Sequence, residues 1–381
     1  MKVLLCNDTG TKSHIGCLGV SDGHARMLGR AGHRVEHRYF VGELARFARS
    51  TWTETMSALA RDSELAERIE SVDAVVVNGE GTIHHNKGIE YLALLDLAKK
   101  KGKASLLVNA LFQEIDIDPE VINRFDAFSV RDKRSLAYAR SRGIRCSYSP
   151  DSILEAKFDS RLSVDFCDNL VVTDWVQIRD ADVGVASLRL LASAPLLSPY
   201  RFFPIHGSEV RNTWRSAVQN LRTARMIVTG RHHAMYLSIL AKVPFVPLAS
   251  NSWKIQGLLD SAGLNQSIVS SFAELKTEIE KLASSPPNLA EAHDRLVSER
   301  PLSTFSVLGK GGEKTSEEEE VCRLESQILN RPSALARDRR LIAKRRVRES
   351  RAFLKLVDEE GNDGGLRGNK LLSKLRKVFR K

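Results

Sequence analysis

The segment Thr229-Gly230-Arg231-His232-His233 joins the apolar run Met226-Ile227-Val228 to a helix-period stretch beginning Ala234-Met235-Tyr236-Leu237. Such a strand-to-helix junction presents free amide donors and the positive end of a helix dipole, both favourable to an anion. Gly230 permits a tight turn, Arg231 carries a planar fork suited to carboxylate or phosphate, and a neighbouring histidine can move a proton near neutral pH. A lone histidine would more often cap or pack; Gly-Arg-His-His at this junction favours chemistry. A second strand end, Asn78-Gly79-Glu80-Gly81-Thr82-Ile83-His84, follows the buried-type run Ala74-Val75-Val76-Val77. Its two glycines allow the backbone to approach a ligand, and Glu80 and His84 are placed to orient hydroxyls. A plain turn with a solvated Glu80 is the competing reading, and the spacing does not separate the two. Ser252-Trp253-Lys254 opens a helix where Lys254 either meets a phosphate or is solvated, and Arg131 either faces the ligand or pairs with a neighbouring acid. Asp116-x-Asp118 and Asp180-x-Asp182 read as helix beginnings. Adjacent histidines are expected to diverge, so no metal is expected.

These residues need a scaffold that brings two strand ends together. At 381 residues the chain is longer than one core usually supports, which predicts two domains. Strand-length apolar runs alternate with helical patterns: strands at 2–6, 34–39, 73–78, 104–109 and 127–130, with a Gly-rich loop over 7–19 leading into a helix at about 21–31. The alternation restarts after a polar bridge, with strands at 170–173, 200–205, 226–228 and 245–248 and a helix near 180–193. The expected fold is α/β, two Rossmann-like parallel sheets facing a cleft, similar to glycosyltransferase-B-like enzymes. Expected boundaries are 1–158 for an N-terminal Rossmann-like domain, 168–285 for a C-terminal Rossmann-like domain, 286–330 for a linker with return helices, and 331–381 for a basic helical tail.

Composition narrows the setting. No stretch approaches the roughly 18 apolar residues of a membrane span, and the first eight residues read as a strand, not a signal peptide. Five widely spaced cysteines without a Cys-x-x-Cys pair suggest a reducing compartment, so a cytoplasmic location is expected. The net charge of +11 resides in residues 331–381, where 17 Lys or Arg face 6 Asp or Glu. Leu371, Leu372, Leu375, Val378 and Phe379 recur at helical spacing among those cations, a pattern suited to an anionic membrane surface at the inner face of the cell membrane. A solvated tail is the alternative, and with Phe379 the one aromatic in the last stretch, nucleic acid is not an expected partner.

With these elements in place, residues 1 to about 285 resemble the polysaccharide pyruvyl transferase family. The likeness rests on Val76–Thr82, on Ser129-Val130-Arg131-Asp132 with Ser135 and Pro150-Asp151, on Val228–Ala234, and on Val243–Leu248 followed by Asn251-Ser252 and Lys254-Ile255. The resemblance implies transfer of the enolpyruvyl group of phosphoenolpyruvate to two sugar hydroxyls, giving a pyruvate ketal and phosphate, with no cofactor beyond the donor substrate. It implies that Arg231 binds the donor beside Gly230, His232, Ser252 and Lys254, and that His233 is catalytic, with Glu80 as the weaker candidate base. A sugar or glycolipid acceptor would lie near His14, Asn78, Gly79, Gly81 and His84. Where many relatives carry Asn-x-Gly-Asp, this chain has Asn7-Asp8-Thr9-Gly10 and then Ser13-His14-Ile15-Gly16-Cys17, a departure on the acceptor side. A nucleotide-sugar glycosyltransferase of similar architecture is the competing function.

Overall fold

The computed structural model describes residues 1–173, 200–203, 205, 207, 210–270, 272–299, 304–309, 311 and 315–343. The expected helix near 180–193, Asp180 and Asp182, and the tail from 344 onward lie outside the described residues.

Among the described residues, ten strands form two wholly parallel sheets. The first comprises β1 (Lys2–Asp8), β2 (Arg34–Phe40), β3 (Ala74–Asn78), β4 (Ala104–Ala110), β5 (Ala127–Val130) and β6 (Ser147–Tyr148), in the order β2-β1-β3-β4-β5-β6. The second comprises β7 (Leu170–Thr173), β8 (Tyr200–Phe203), β9 (Met226–Thr229) and β10 (Phe245–Pro247), in the order β10-β9-β7-β8. Val75, Val76 and Val77 of β3 have no exposed surface, as a central strand covered by helices on both faces requires. In each sheet the strand order reverses once, between β1 and β3 and between β7 and β9. Ligands of open parallel sheets bind beyond the carboxyl ends at such reversals.

Two helices carry those strand ends to each other: α1 (Ile15–Arg30) after β1 and α2 (His232–Ala241) after β9. The sequence pattern over 7–19 predicts a Gly-rich loop, but α1 already begins at Ile15, capped by His14, whose Nδ1 accepts from the Cys17 amide at 3.3 Å. Its glycines serve packing. A Cβ on Gly23 would stand 2.2 Å from the Ser152 carbonyl oxygen, and one on Gly19 would stand 2.8 Å from Ile153 Cγ1. A helix that buries its Gly-bearing face against another chain segment has the composition of a loop and the geometry of a tightly packed element. Ile15, Leu18 and Val20 of α1 join the apolar cluster of the second sheet, with Ala234, Met235, Tyr236 and Leu237 of α2, so one core spans both units. Backbone bonds from Ile15 to the Ile205 carbonyl (2.9 Å) and from Gly207 to the Ser13 carbonyl (3.0 Å) close the seam.

Past the second sheet the chain returns to the first. The helix α3 (Glu317–Leu329) opens with a capping box between Ser316 and Glu319 and lays Val321, Leu324 and Ile328 against Ala25 and Phe40. A further helix over 332–343 buries Ala334, Asp338 and Ile342, so packed structure extends into the segment expected as tail.

Candidate active site

The carboxyl end of β3 sets Glu80. Asn78 holds the turn: its Oδ1 accepts from the Glu80 amide at 3.1 Å, and its Nδ2 reaches Glu80 Oε2 at 3.4 Å. Gly79 is required because a Cβ there would lie 2.5 Å from that of Ala110, and Gly81 adopts a left-handed φ of 55° facing Arg131. The Glu80 carboxylate, 7% exposed, also accepts from Thr9 Oγ1 at 2.7 Å and from Cys17 Sγ at 3.2 Å. Burial and the adjacent Glu80 charge push the Cys17 thiol well up, so it stays a neutral donor. Glu80 is therefore not the solvated turn residue of the competing reading; two elements of the first domain fix it in place.

The carboxyl end of β6 sets Asp151, which is fully buried and accepts from Arg131 Nη1 at 2.8 Å and from the Ile153 amide at 3.0 Å. Burial pushes this carboxyl up, but the charges of His233 and Arg131 outweigh it and hold Asp151 well below the usual carboxylate range. Arg131, itself 2% exposed, thus takes the pairing reading, though its partner is Asp151 and not the adjacent Asp132, which caps its own helix through Ser135.

From the second domain, Arg231 caps α2 by position and its amide donates to Thr229 Oγ1 at 3.0 Å. Thr229 pairs with Thr173 across the strand reversal at 2.6 Å. His232 Nδ1 lies 2.9 Å from the Lys254 carbonyl oxygen, an acceptor, so the ring carries hydrogen at Nδ1. Burial and the Arg131 charge push its pKa down to about 3. His233, 7% exposed, points Nε2 into the seam, 3.4 Å from Asp151 Oδ2 and 3.6 Å from Glu80 Oε1, with no hydrogen bond to that nitrogen. Gly16 of α1 is its floor: a Cβ there would fall 2.0 Å from the imidazole. His14 stacks edge-on against the same ring, centroids 5.6 Å apart.

The structure thus brings His233, His232, Glu80, His14, Asn78 and Gly79 into one buried cluster. His84 lies at its edge, its Nε2 3.1 Å from the Gly81 carbonyl and its pKa lowered to about 4 by burial and the nearby His85. Lys254 is half-buried at the start of α4 (Lys254–Ala262), bonded to Asn251 Oδ1 at 2.8 Å; desolvation and the charges of Arg131 and Arg231 lower its pKa to about 7. Ser252 keeps a buried hydroxyl without a hydrogen-bond partner. Asp151 and Cys17 were not singled out for chemistry by sequence reasoning. Asp151 announces itself only as an acid after the last strand of a sheet, and Cys17 only as a residue one helical turn after His14.

Two parallel sheets with their reversal points turned to each other and a site between them are glycosyltransferase-B-like. Solved structures share the arrangement: a protein from Listeria monocytogenes named a UDP-N-acetylglucosamine 2-epimerase matches at 12% identity and a TM-score of 0.51, over 80% of this chain and 93% of that one. A spinosyn rhamnosyltransferase complexed with thymidine diphosphate matches at 12% identity and a TM-score of 0.50, over 81% of this chain and 99% of that one. At such identity the likeness is one of fold. The chain belongs to the polysaccharide pyruvyl transferase family, whose sequence profile matches residues 26–252 and so spans Glu80, Arg131, Asp151 and Arg231 to His233. No curated protein matches the sequence.

Proposed function

We propose that the protein transfers the enolpyruvyl group of phosphoenolpyruvate to two hydroxyls of a sugar, in a polysaccharide or its lipid-linked precursor, forming a pyruvate ketal and releasing phosphate. The observation that carries this reading is His233, whose Nε2 lacks a hydrogen bond and stands between two buried carboxylates at the meeting of both strand reversals. When protonated, that nitrogen can give its proton to the methylene carbon of the donor. That leaves a cation at the phosphate-bearing carbon. One sugar hydroxyl adds, surrendering its proton to Glu80; phosphate then departs, and the second hydroxyl adds to close the ketal, returning its proton to the His233 imidazole that gave one up. Arg231, Lys254 and the open amides of α2 hold the donor's phosphate and carboxylate and stabilise the leaving group. The acceptor reaches the cluster past His14, Gly81 and His84.

Ligand-dependent thermal stabilisation separates this from a nucleotide-sugar reaction, because a ligand bound only by the folded state raises the melting temperature by mass action. Phosphoenolpyruvate is expected to stabilise the protein where uridine and guanosine sugar nucleotides do not. The reverse pattern would replace pyruvyl transfer with glycosyl transfer.

A further inference from the structure

Neighbouring residues on a helix leave its axis about 100° apart, yet the adjacent rings of His232 and His233 turn inward together. Both Nε2 atoms lie 3.4 Å from the same oxygen, Asp151 Oδ2, and the three atoms lie within 4.8 Å of one another. His232 gives its Nδ1 hydrogen to the Lys254 carbonyl, so its neutral ring turns a lone pair toward the carboxylate. Neither Nε2 has a hydrogen-bond partner, although the two side chains are 4% and 7% exposed. Lone pairs buried around one anionic oxygen are repulsive; Arg131 Nη1, 2.8 Å from that oxygen, offsets part of the repulsion, and a cation held by the lone pairs themselves would offset the rest.

We propose that Asp151, His232 and His233 form a site for a borderline divalent cation of the zinc type, and that this cation inhibits the enzyme by taking the lone pair of His233. The inhibition rests on the role given to His233 above; the binding does not. A tetrahedral ion with ligand bonds of about 2.0–2.2 Å sets its ligand atoms roughly 3.3–3.6 Å apart. The two histidine-to-Asp151 edges are 3.4 Å; Glu80 Oε1 is 3.6 Å from His233 Nε2 but stands outside the three-residue group, so a water or substrate oxygen would complete the shell. The Lys254 carbonyl is the outer partner that fixes a metal-binding tautomer. Two imidazoles favour zinc-type ions over magnesium or calcium, which prefer all-oxygen shells. Arg131, on the same Asp151 oxygen at 2.8 Å, adds a like charge that weakens the site, and the carboxylates of Asp151 and Glu80 offset it.

The test uses the full chain stripped with a chelator and titrated with Co²⁺, whose visible bands are intense only in tetrahedral surroundings. One equivalent is expected to give those bands and Zn²⁺ to displace them. His232→Gln and Asp151→Asn should each weaken Zn²⁺ by more than the roughly 10–100-fold that losing an outer partner costs. X-ray absorption on the Zn²⁺-loaded wild type should show imidazole back-scattering even where a variant fails to fold. Absence of the bands at one equivalent, equal binding by folded variants, or a shell without imidazole would overturn the site. Zn²⁺ should also stop phosphate release until a chelator restores it; a loaded enzyme that turns over normally would overturn the inhibition. Wild type inactive without any cation would count against pyruvyl transfer instead, leaving the Co²⁺ result to decide the site.

Discussion

Arg231 and Lys254 are read here as the two cations that meet the donor, and each has a distinct signature. Replacing Arg231 by Ala removes a charge-assisted fork from a partly desolvated position and is expected to weaken phosphoenolpyruvate binding by about 2–5 kcal/mol in calorimetry. Unchanged affinity would move the donor elsewhere. Lys254 starts from a pKa of about 7, lowered by desolvation and by its arginine neighbours. An anion bound beside it raises that pKa, so binding takes up a proton. Affinity should therefore be greatest below pH 7 and weaken as pH rises through 7, with proton uptake visible as a buffer-dependent binding enthalpy. A flat profile would exclude contact between Lys254 and the donor. The same scale shows what the sequence could reveal. The Gly-Arg-His-His junction was legible because strand, turn and helix adjoin in the chain. The role of Asp151 was not: Pro150-Asp151 entered only as part of the family pattern, and its partners Arg131, His232 and His233 come from 20 and more residues away.

Among the elements, α1 is where sequence and structure part. Gly16 and Gly19 read as part of a loop in one dimension; in three they join Gly23 as the face on which Ser152, Ile153 and His233 rest. Composition cannot tell a loop from a helix whose missing side chains make room for a neighbour. Gly16→Ala is accordingly expected to leave the fold intact but to keep α1 from closing on His233, since the added carbon would fall 2.0 Å from the ring. A displacement of this size costs about 10²-fold in turnover. Steady-state kinetics with a melting curve checks it, and full activity would mean the seam does not need to close for catalysis. The strands named from the sequence recur in both sheets, because periodicity in a parallel α/β fold is local, while the two-residue β6 went unread and the helix expected near 180–193 lies outside the described residues.

At the scale of the whole molecule, the chain's late residues hold its first loop. Asp338, 8% exposed, accepts from the Ser13 amide at 2.7 Å, and Arg211 donates to the Gly10 carbonyl at 2.9 Å, so the segment leading to His14 and Gly16 is clamped from both sides. No charge pattern in the basic C-terminal segment predicts a contact across 325 positions. Ending the chain after 343 should preserve melting temperature and turnover while abolishing sedimentation with anionic vesicles. Ending it after 330 should also lower turnover, because Ser13 loses its cap. Equal sedimentation of the 343 truncation and the full chain would refute the membrane role of the tail. Among the described residues no helix is long and apolar enough to cross a membrane. Acid stability is a property of the whole fold as well. His24 and His84 are held near a pKa of about 4 by burial, against about 6.5 when unfolded. The unfolded chain binds more protons between those values, so stability should fall as pH drops from about 6.5 to 4, as chemical denaturation at stepped pH would show.

Pyruvyl transfer as proposed requires a proton from His233. The decisive measurement is single-turnover phosphate release from phosphoenolpyruvate with a sugar acceptor that the wild type uses, compared between wild type, His233→Gln and His232→Gln, all kept free of transition metal. Glutamine retains hydrogen bonding and removes proton transfer, so His233→Gln should release phosphate roughly 10²–10⁴ times more slowly while binding the donor with unchanged affinity. Near-normal release from His233→Gln, with the loss appearing in His232→Gln instead, would contradict it.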